Sequence, residues 1–426
     1  MASYLDQAKE VSRLRLIIFL IFNISSNLSW AAFGNNNSIL VGDLAAGMGG
    51  AGTALVGDVS SAAYYNPATM AWLEGQSFSA ASGIYKKFDT IYGEASDFTK
   101  AALRANLGFF RSLPASTGSV IHWKDFEVGL SIVVPDYDTY KGDLANKETN
   151  VTTLSMTDES LWVGGAISRK IDDDSSWGVT LYYTARSFSR SLSDRSYFSS
   201  SHNEFYTQEK TIAQNSLVPV FGYYHRFGSD WALGASLRAG SIRLGSVGSY
   251  FESSTNTQTT TTTSTTLTDL SGPVIIPRKL SLGVVWQHFQ DLTVALDLQA
   301  YEGFMGRDLE HPIAGSVLDY KSVVNASLGF EWAIRNWLKL RWGGFTNFSS
   351  FQTPTASGGY DQEDKVDQLG FSANLVLYSR ENMSFTFGGY YTGGRGRSVK
   401  RVNQQLVEMD KTQQVFTMLV GTSFYL

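Results

Sequence analysis

The chain has 426 residues, of which 43% are hydrophobic, 13% aromatic and only 17% charged, and its formal net charge is −5. No cluster of lysine and arginine stands out, so nucleic acid is not an expected partner. No apolar run approaches the ~20 residues that a membrane helix needs. The chain has no cysteine, which excludes disulfides, thiol catalysis and cysteine-bound metals. Forty glycines and many aromatic residues beside only 8 prolines favour strands over helices.

The start of the chain has the features of a secretory signal. Basic residues precede a short apolar run over residues 16–24, and Ser29-Trp30-Ala31 is a small-x-small cleavage pattern. A buried strand or helix of the mature fold is the alternative interpretation. The pattern predicts a signal peptide over residues 1–31 and an exported mature protein that begins near Ala32.

From residue 75 onward the sequence repeats segments of about ten residues in which apolar and polar residues alternate. Such a period of two gives each strand one apolar and one polar face. Fourteen segments have this pattern. They lie near residues 76–88, 116–123, 126–135, 158–171, 176–190, 215–227, 230–243, 279–289, 291–302, 321–333, 336–347, 366–379, 382–393 and 414–426.

The connections between these segments differ in length with strict parity. Those after even-numbered segments are short turns, those after odd-numbered segments are long, and the longest covers residues 244–278. Short turns on one rim, long loops on the other and an even strand number are typical of outer-membrane barrels, whereas a soluble sandwich has no reason to keep that parity. Four tryptophans flank the short turns, where an interfacial aromatic girdle belongs. They are Trp177, Trp231, Trp332 and Trp337.

These patterns predict an all-β fold, a 14-stranded antiparallel transmembrane β-barrel over residues 75–426 in the outer membrane of a diderm bacterium. The expected partners of such a barrel are outer-membrane lipid and the barrel-assembly machinery. That machinery usually recognises an aromatic residue at the C-terminus. This chain departs from that pattern, because Tyr425 is penultimate and Leu426 is last.

Residues 32–74 do not alternate and are rich in glycine and alanine. Because a fourteen-stranded barrel is too wide for its own side chains to fill, this segment is predicted to be a plug inside the lumen. Gly47-x-Gly49-x-x-Gly52 matches the Gly-x-Gly-x-x-Gly motif of dinucleotide-binding proteins, but no βαβ unit follows it. We therefore interpret these glycines as sites of close packing.

The plug segment resembles the N-terminal hatch of the FadL-type outer-membrane transporters of long-chain fatty acids and other hydrophobic compounds. The matching residues are Gly47 to Gly52, Ala54, Asp58, Ser61, Ala62 and, most specifically, Asn66-Pro67-Ala68 followed by Met70. The family commonly has glycine where this chain has Thr69. The resemblance implies a gating plug with Asp58, Asn66, Pro67 and Ala68 at its centre. A Gly-Met-Gly-Gly-Ala start also occurs in PorV-type proteins, which act in protein secretion, so that role stays open.

Asn66 and Pro67 also have a local structural interpretation. Pro67 fixes its own φ and biases Asn66 toward an extended conformation. Asn66 can then cap a short helix over residues 68–73. A helix-capping turn without any role in transport is the alternative to a gate.

The resemblance further implies that the third and fourth long loops form a groove for the substrate. Apolar residues in these two loops are Tyr197, Phe198, Phe205 and Tyr206, and then Val274, Ile275 and Ile276. They are predicted to bind the hydrophobic ligand, or else to pack the loops against each other. The neighbouring Ser/Thr-rich stretch, residues 253–271, is expected to be flexible and solvated.

Four cationic residues are predicted to face the lumen because of their position in the alternation. They are Arg186, Arg238, Lys339 and Arg341. Each could meet a carboxylate head group, or could form an ion pair with a lumen or plug residue such as Asp58, Asp297 or Glu331.

The third strand carries a possible opening in the wall. In the resembled family, a kink in that strand forms a lateral opening, which implies the same role for Gly129 and Pro135. The alternative is that these residues mark the end of the strand, since proline breaks a hydrogen-bond ladder.

The sequence has no pattern that indicates catalysis. Its five histidines are scattered without metal-ligand spacing, and no Gly-x-Ser-x-Gly elbow occurs. We expect no cofactor, no metal and no enzymatic activity. The predicted function is passive, plug-gated uptake of long-chain fatty acids or other hydrophobic small molecules, and a PorV-type secretion scaffold or a general porin is the alternative.

Overall fold

The structure is a computed structural model of the chain. It describes residues 34–57, 59–73, 75–93, 104–109, 113–147, 149–272, 276–288, 291–356, 364–380, 382–402 and 405–425. The predicted signal peptide, Asp58, Val274 and Ile275 lie outside these described residues.

Strands make up most of the described chain. The strands are β1 Ser77–Tyr92, β2 Arg104–Phe109, β3 Leu113–Trp123, β4 Phe126–Lys147, β5 Asn150–Lys170, β6 Ser175–Ser199, β7 His202–Phe227, β8 Trp231–Arg238, β9 Ile242–Asn256, β10 Thr261–Leu270, β11 Lys279–His288, β12 Leu292–Tyr301, β13 Phe304–Arg307, β14 Val317–Tyr320, β15 Val323–Arg335, β16 Leu338–Asn347, β17 Lys365–Arg380, β18 Met383–Val402 and β19 Gln405–Tyr425. Three short helices precede them: α1 Leu44–Gly47, α2 Val59–Tyr65 and the 3₁₀ helix η1 Pro67–Trp72. No helix in the described part of the chain is long and apolar enough to cross a membrane.

The strands form a closed antiparallel barrel of fourteen strands. Two successive segments, β2 and β3, pair with β1 along one line and count as one barrel strand. In the same way β9 continues β8 along β7, and β10 and β11 together face that composite strand. The last strand closes the ring, since β19 pairs with β1 from Ser77↔Tyr425 onward. The predicted strand number and closure are confirmed, and β13 and β14 form a separate hairpin.

The two faces of the wall have the polarity of a membrane protein. On β12, Leu296 and Leu298 are 45% and 48% exposed on the outside, whereas Asp297 and Gln299 are 1% and 2% exposed on the inside. The same inversion recurs around the ring, and the tryptophans predicted to flank the short turns all lie on the outer surface. Apolar side chains outside and polar ones inside are the pattern of an outer-membrane barrel. The protein is therefore located in the outer membrane.

The strands extend well beyond the segments predicted for them on the side of the long loops. The third long loop is mostly a hairpin, because β6 and β7 continue as paired strands to a turn at residues 200–201. Much of the Ser/Thr-rich stretch is also paired, as β9 and β10, so the expectation of a flexible segment is wrong there. Outside the membrane both faces of a hairpin meet water or other loops. In these extensions the sequence therefore no longer alternates between apolar and polar residues, although the strands remain hydrogen-bonded.

Residues 34–57 and 59–73, in the segment predicted to be a plug, pack against the inner face of the wall. Nearly all of them are buried, and their polar backbone groups bond to inward side chains of the wall. Examples are Gly42 N, which donates to Ser116 Oγ of β3, and Gly49 N, which donates to Ser372 Oγ of β17. Such bonds to several strands of the wall satisfy backbone groups that the short helices leave free.

Candidate functional site: plug, lumen and wall

Asn66 lies at the centre of the plug and is fully buried. Its Nδ2 donates to the backbone carbonyl of Thr53 at 2.7 Å and to that of Tyr223, on β7, at 3.0 Å. Its Oδ1 accepts from Ala68 N at 3.1 Å, which caps η1. The predicted cap is thus confirmed, with the helix beginning at Pro67. All the hydrogen-bonding groups of this amide are used, so it joins two plug segments to the wall.

The wall comes unusually close to the Asn-Pro-Ala turn. A Cβ on Gly222 of β7 would lie 2.1 Å from Asn66 Oδ1, and a Cβ on Gly178 of β6 would lie 2.5 Å from the carbonyl carbon of Pro67. Only glycine leaves room for this approach. Thr69, the residue that departs from the family motif, donates from its hydroxyl to Asn66 O at 2.9 Å.

Asp297 anchors the middle of the plug. Its Oδ2 accepts from Gly52 N at 3.0 Å, from Thr53 N at 2.9 Å and from Thr53 Oγ1 at 2.6 Å. Because Thr53 O also receives the Asn66 amide, Asp297 and Asn66 hold the same residue from two sides. The sequence pattern named Asp297 only as a potential partner for a cation, and its bonds to plug backbone could not be read from alternation.

Three of the four predicted lumen cations form ion pairs with the wall. Glu331 accepts from Arg341 Nε at 2.6 Å and from Lys339 Nζ at 2.9 Å. Arg186 contacts Asp158 through two nitrogens, with Nε at 2.8 Å. The ion-pair alternative is therefore correct for these three residues, with Glu331 as a predicted partner and Asp158 as an unforeseen one.

Arg238 differs from the other three, and Lys279 lies beside it. Arg238 donates from Nη2 to Pro277 O at 3.3 Å, but its buried Nε has no hydrogen-bond partner. Lys279 is equally buried, and within the described residues it has no carboxylate within ion-pair distance. Sequence reasoning missed Lys279, since nothing in its strand distinguishes it from a surface lysine. Buried cations without a direct carboxylate are costly, so this pair is suited to an anion.

Aromatic rings of the plug and wall surround these two cations. Lys279 Nζ lies 5.2 Å from the ring centre of Tyr64 and 5.6 Å from that of Tyr65, both on α2. Arg238 Cζ lies 5.6 Å from the ring centre of Trp162 on β5. These distances are within the range of cation–π attraction, which partly compensates for the loss of water. We call Arg238, Lys279 and these three rings the cation pocket.

Of the predicted loop residues, the five that the structure describes lie in different places and not in one groove. Tyr197 and Phe198 lie exposed near the tip of the β6–β7 hairpin, and Phe205 packs edge-on against Tyr197 at 6.3 Å. Tyr206 is buried in an apolar cluster of the extracellular hairpins. Ile276 packs instead against the apolar cluster that contains the rings of the cation pocket.

A cavity opens between the plug and the extracellular hairpins, and we call it the mouth cavity. Its lining includes Asn35, Tyr92, Asp136, Arg190, Asp364 and Gln413. Asp364 accepts from Lys400 Nζ at 2.7 Å, from Lys411 Nζ at 2.9 Å and from the Tyr92 hydroxyl at 2.8 Å. Burial tends to raise the pKa of Asp364, but the two ammonium groups outweigh burial and hold that pKa well below its ordinary value.

The wall has an irregularity at β4, where the sequence places Gly129 and Pro135. Pairing between β3 and β4 stops at Ser116↔Val133, and beyond this point β4 pairs only with β5 among the described strands. We call this interruption of the β3–β4 ladder the wall break. A bulge lies at the same level, because two residues of β4 between Val133 and Asp136 face one residue of β5.

Pro135 therefore does not end the strand, and that alternative is wrong: β4 continues to Lys147. Proline has no N–H for the ladder, so its position within the bulge is consistent with the loss of pairing. Gly129 faces the plug, where a Cβ would lie 2.7 Å from Met70 Cε. Both predicted residues thus lie at or below the wall break.

Within the described residues, no group of three or more His, Cys, Asp or Glu side chains is arranged to hold a metal ion.

Solved structures of similar architecture include a FadL homologue and two toluene transporters. A FadL homologue from Pseudomonas aeruginosa superposes with a TM-score of 0.65 at 14% identity, over 93% of this chain and 99% of the other. The toluene transporter TodX of P. putida gives 0.63 at 13% identity, over 90% and 98%. The toluene transporter TbuX of Ralstonia pickettii gives 0.53 at 15% identity, over 90% and 98%.

No protein-family model and no curated relative matches the chain. The resemblance predicted from the plug motif is confirmed at the level of the fold: this chain has the FadL-type architecture.

Proposed function

We propose that this protein carries hydrophobic molecules across the outer membrane by passive diffusion, without a catalytic step. The observation that supports this most directly is the wall break beside a plugged lumen. A general porin needs an open axial channel, but here residues 34–73 occupy the lumen. An interrupted ladder next to the plug instead suits a molecule that leaves sideways into lipid. The similar structures that are described as transporters support the same interpretation.

The proposed route begins at the extracellular hairpins, where Tyr197, Phe198 and Phe205 offer apolar contact. The molecule then passes the mouth cavity to the rings of the cation pocket. A shift of the segment around Asn66 releases it toward the wall break near Gly129 and Pro135. Transfer from water to apolar surroundings contributes about 0.8 kcal/mol per methylene, so long chains are preferred over short ones.

Long-chain fatty acids are the substrates that best fit the cation pocket. A fatty acid combines a long apolar chain with one carboxylate, and Arg238 and Lys279 are buried cations without a direct carboxylate in the described structure. A charge-assisted bond to the carboxylate would satisfy the free Nε of Arg238. Neutral hydrocarbons would use the rings alone.

The gate is tested by replacing Asn66 with alanine. We expect saturable uptake of labelled long-chain fatty acid by cells that lack their own transporter but express this protein. Uptake should fall several-fold in Asn66→Ala, because the two bonds from Nδ2 and the cap of η1 are lost together.

Thr69→Ala is the matched control, since it removes one buried hydroxyl from the same turn and leaves the amide in place. Heat-modifiable migration on gels would verify that each variant forms a barrel. Unchanged uptake in a folded Asn66→Ala barrel would reject the gating role. Absence of fatty-acid uptake by the wild-type barrel would direct the search first to aromatic hydrocarbons and then to a secreted protein partner.

A further inference from the structure

Asp136 connects the wall break to the cation pocket. It is the first residue after the bulge in β4 and also lines the mouth cavity. Its Oδ2 accepts from Ser160 Oγ at 3.1 Å, and Ser160 Oγ accepts from Trp162 Nε1 at 3.2 Å. The carboxylate is therefore oriented through a short chain of bonds by one of the rings of the cation pocket.

The charges around Asp136 are arranged so that it partly neutralises that pocket. Arg238 and, more weakly, Arg186 stabilise the negative charge of the Asp136 carboxylate, whereas the like charge of Asp158 opposes it. The negative charge of Asp136 also stabilises the charged form of Lys279. Neither cation forms a direct ion pair with it, since no nitrogen of either lies within 4.0 Å of its oxygens. Asp136 is thus a counter-ion that makes no direct ion pair with Arg238 or Lys279. It lies on the side of the mouth cavity, from which a ligand would enter.

Asp297, the other carboxylate near Lys279, is held in place by the plug. Asp297 also acts on Lys279, but its Oδ2 is fixed by three bonds from plug residues Gly52 and Thr53. Asp136 has one side-chain bond and lies beside a bulge, where the backbone is paired on one side only. Of the two counter-ions, Asp136 is therefore the one that an incoming anion can displace.

We propose that Asp136 is the displaceable counter-ion of the cation pocket, so that a carboxylate head group takes its place and frees the β4 bulge beside the wall break. This inference rests on the proposed transport function and deepens it. It makes Asp136 the residue that distinguishes an anionic amphiphile from a neutral hydrocarbon of equal length. The acid competes with Asp136 for Arg238 and Lys279, whereas the neutral molecule has no charge with which to compete.

The test compares palmitate with hexadecanol, which have chains of equal length but different charge. Binding to the purified full-length barrel in detergent is measured for the wild type, for Asp136→Asn and for the control Asp138→Asn. Asparagine keeps an acceptor for the Ser160 hydroxyl and removes only the charge. Asp138 lines the same mouth cavity two residues further along β4, and it is not among the charged groups that act on Lys279.

We expect Asp136→Asn to strengthen palmitate binding about tenfold, equivalent to about 1.4 kcal/mol, and to leave hexadecanol binding within about twofold. Asp138→Asn should change neither. Hydrogen exchange of β4 amides next to the bulge should increase when palmitate binds to the wild type, but not when hexadecanol binds. In Asp136→Asn, the same β4 amides should exchange rapidly even without any ligand.

Equal effects of Asp136→Asn on both ligands, or no effect on either, would overturn the inference, as would exchange that is insensitive to palmitate. A wild-type barrel that binds hexadecanol but not palmitate would overturn it while leaving hydrophobe transport intact. A folded wild-type barrel that binds neither ligand would reject the proposed function as well.

Discussion

At the scale of single residues, the plug is held in place by two features that act together. Side chains with several acceptor or donor groups, such as Asn66 and Asp297, bond to plug backbone from within the plug and from the wall. Inward glycines such as Gly222 let the backbones approach closely enough for those bonds. Sequence analysis identified Asn66 and its cap, because an Asn-Pro pair has a local meaning. It could not identify Gly222, because a glycine on a strand gives no indication of what it faces.

The close approach at Gly222 leads to a prediction. Gly222→Ala places a Cβ 2.1 Å from Asn66 Oδ1, so the Asn-Pro-Ala turn must move and the plug should become leaky. Sensitivity of cells to large antibiotics that are normally excluded measures this leak. Gly165→Ala is the matched control, because that glycine on β5 has no atom within 4 Å of its added Cβ. Equal sensitivity of the two variants would contradict the prediction.

At the scale of elements, β4 carries the irregularity that we propose as the opening in the wall. Its outer part pairs with β5 alone among the described strands, and the bulge with Pro135 separates this part from the regular ladder. The proline could be found in the sequence, yet its meaning depended on whether the strand continued. Residues 136–147 carry polar side chains on both faces and only scattered apolar ones such as Tyr140 and Leu144, so alternation could not show that they form a strand.

Deleting Pro135 tests the role of the bulge. The deletion leaves one residue of β4 opposite one residue of β5 between Val133 and Asp136, so the strand should straighten and approach its neighbour on the other side. We expect fatty-acid uptake to fall several-fold while the barrel still folds. The second irregularity of β4 offers a control, because deleting Leu144 also restores one-to-one pairing but far from the wall break. A loss of uptake in both deletions would indicate a general effect of shortening β4.

At the scale of the whole molecule, the barrel and plug form one closed body. The ring of paired strands runs from β1 round to β19, which pairs again with β1, and the plug bonds to β3 and to β7 on its inner face. Asp43 adds a contact with β18, where its Oδ2 accepts from Thr386 Oγ1 at 2.8 Å. We expect these contacts to leave no wide axial path for ions, unlike the water-filled channel of a general porin.

Planar bilayers test this closure. The wild-type protein should give no steady open-pore current, whereas Asp297→Ala should give current bursts. Alanine leaves Gly52 N and Thr53 N without a partner, at a cost of about 1–3 kcal/mol for each buried group. Asp297→Asn keeps an acceptor and should remain nearly closed. A steady porin-like current from the wild type would contradict the plugged barrel.

The sequence by itself determined the barrel, its strand number and the polarity of its faces, and it predicted a plug. These follow from period-two alternation, turn parity and local composition, which depend on neighbours along the chain. It also indicated Asn66 and Pro135, whose backbone preferences are local.

Only the tertiary structure decided which lumen cations are paired and which are free, and it brought Lys279, Arg238 and Asp136 into one region from three separate strands. It also dispersed the aromatic residues expected to share one groove. Contacts between strands far apart in sequence depend on register and on the plug between them, and alternation fixes only the side of the wall on which a residue lies.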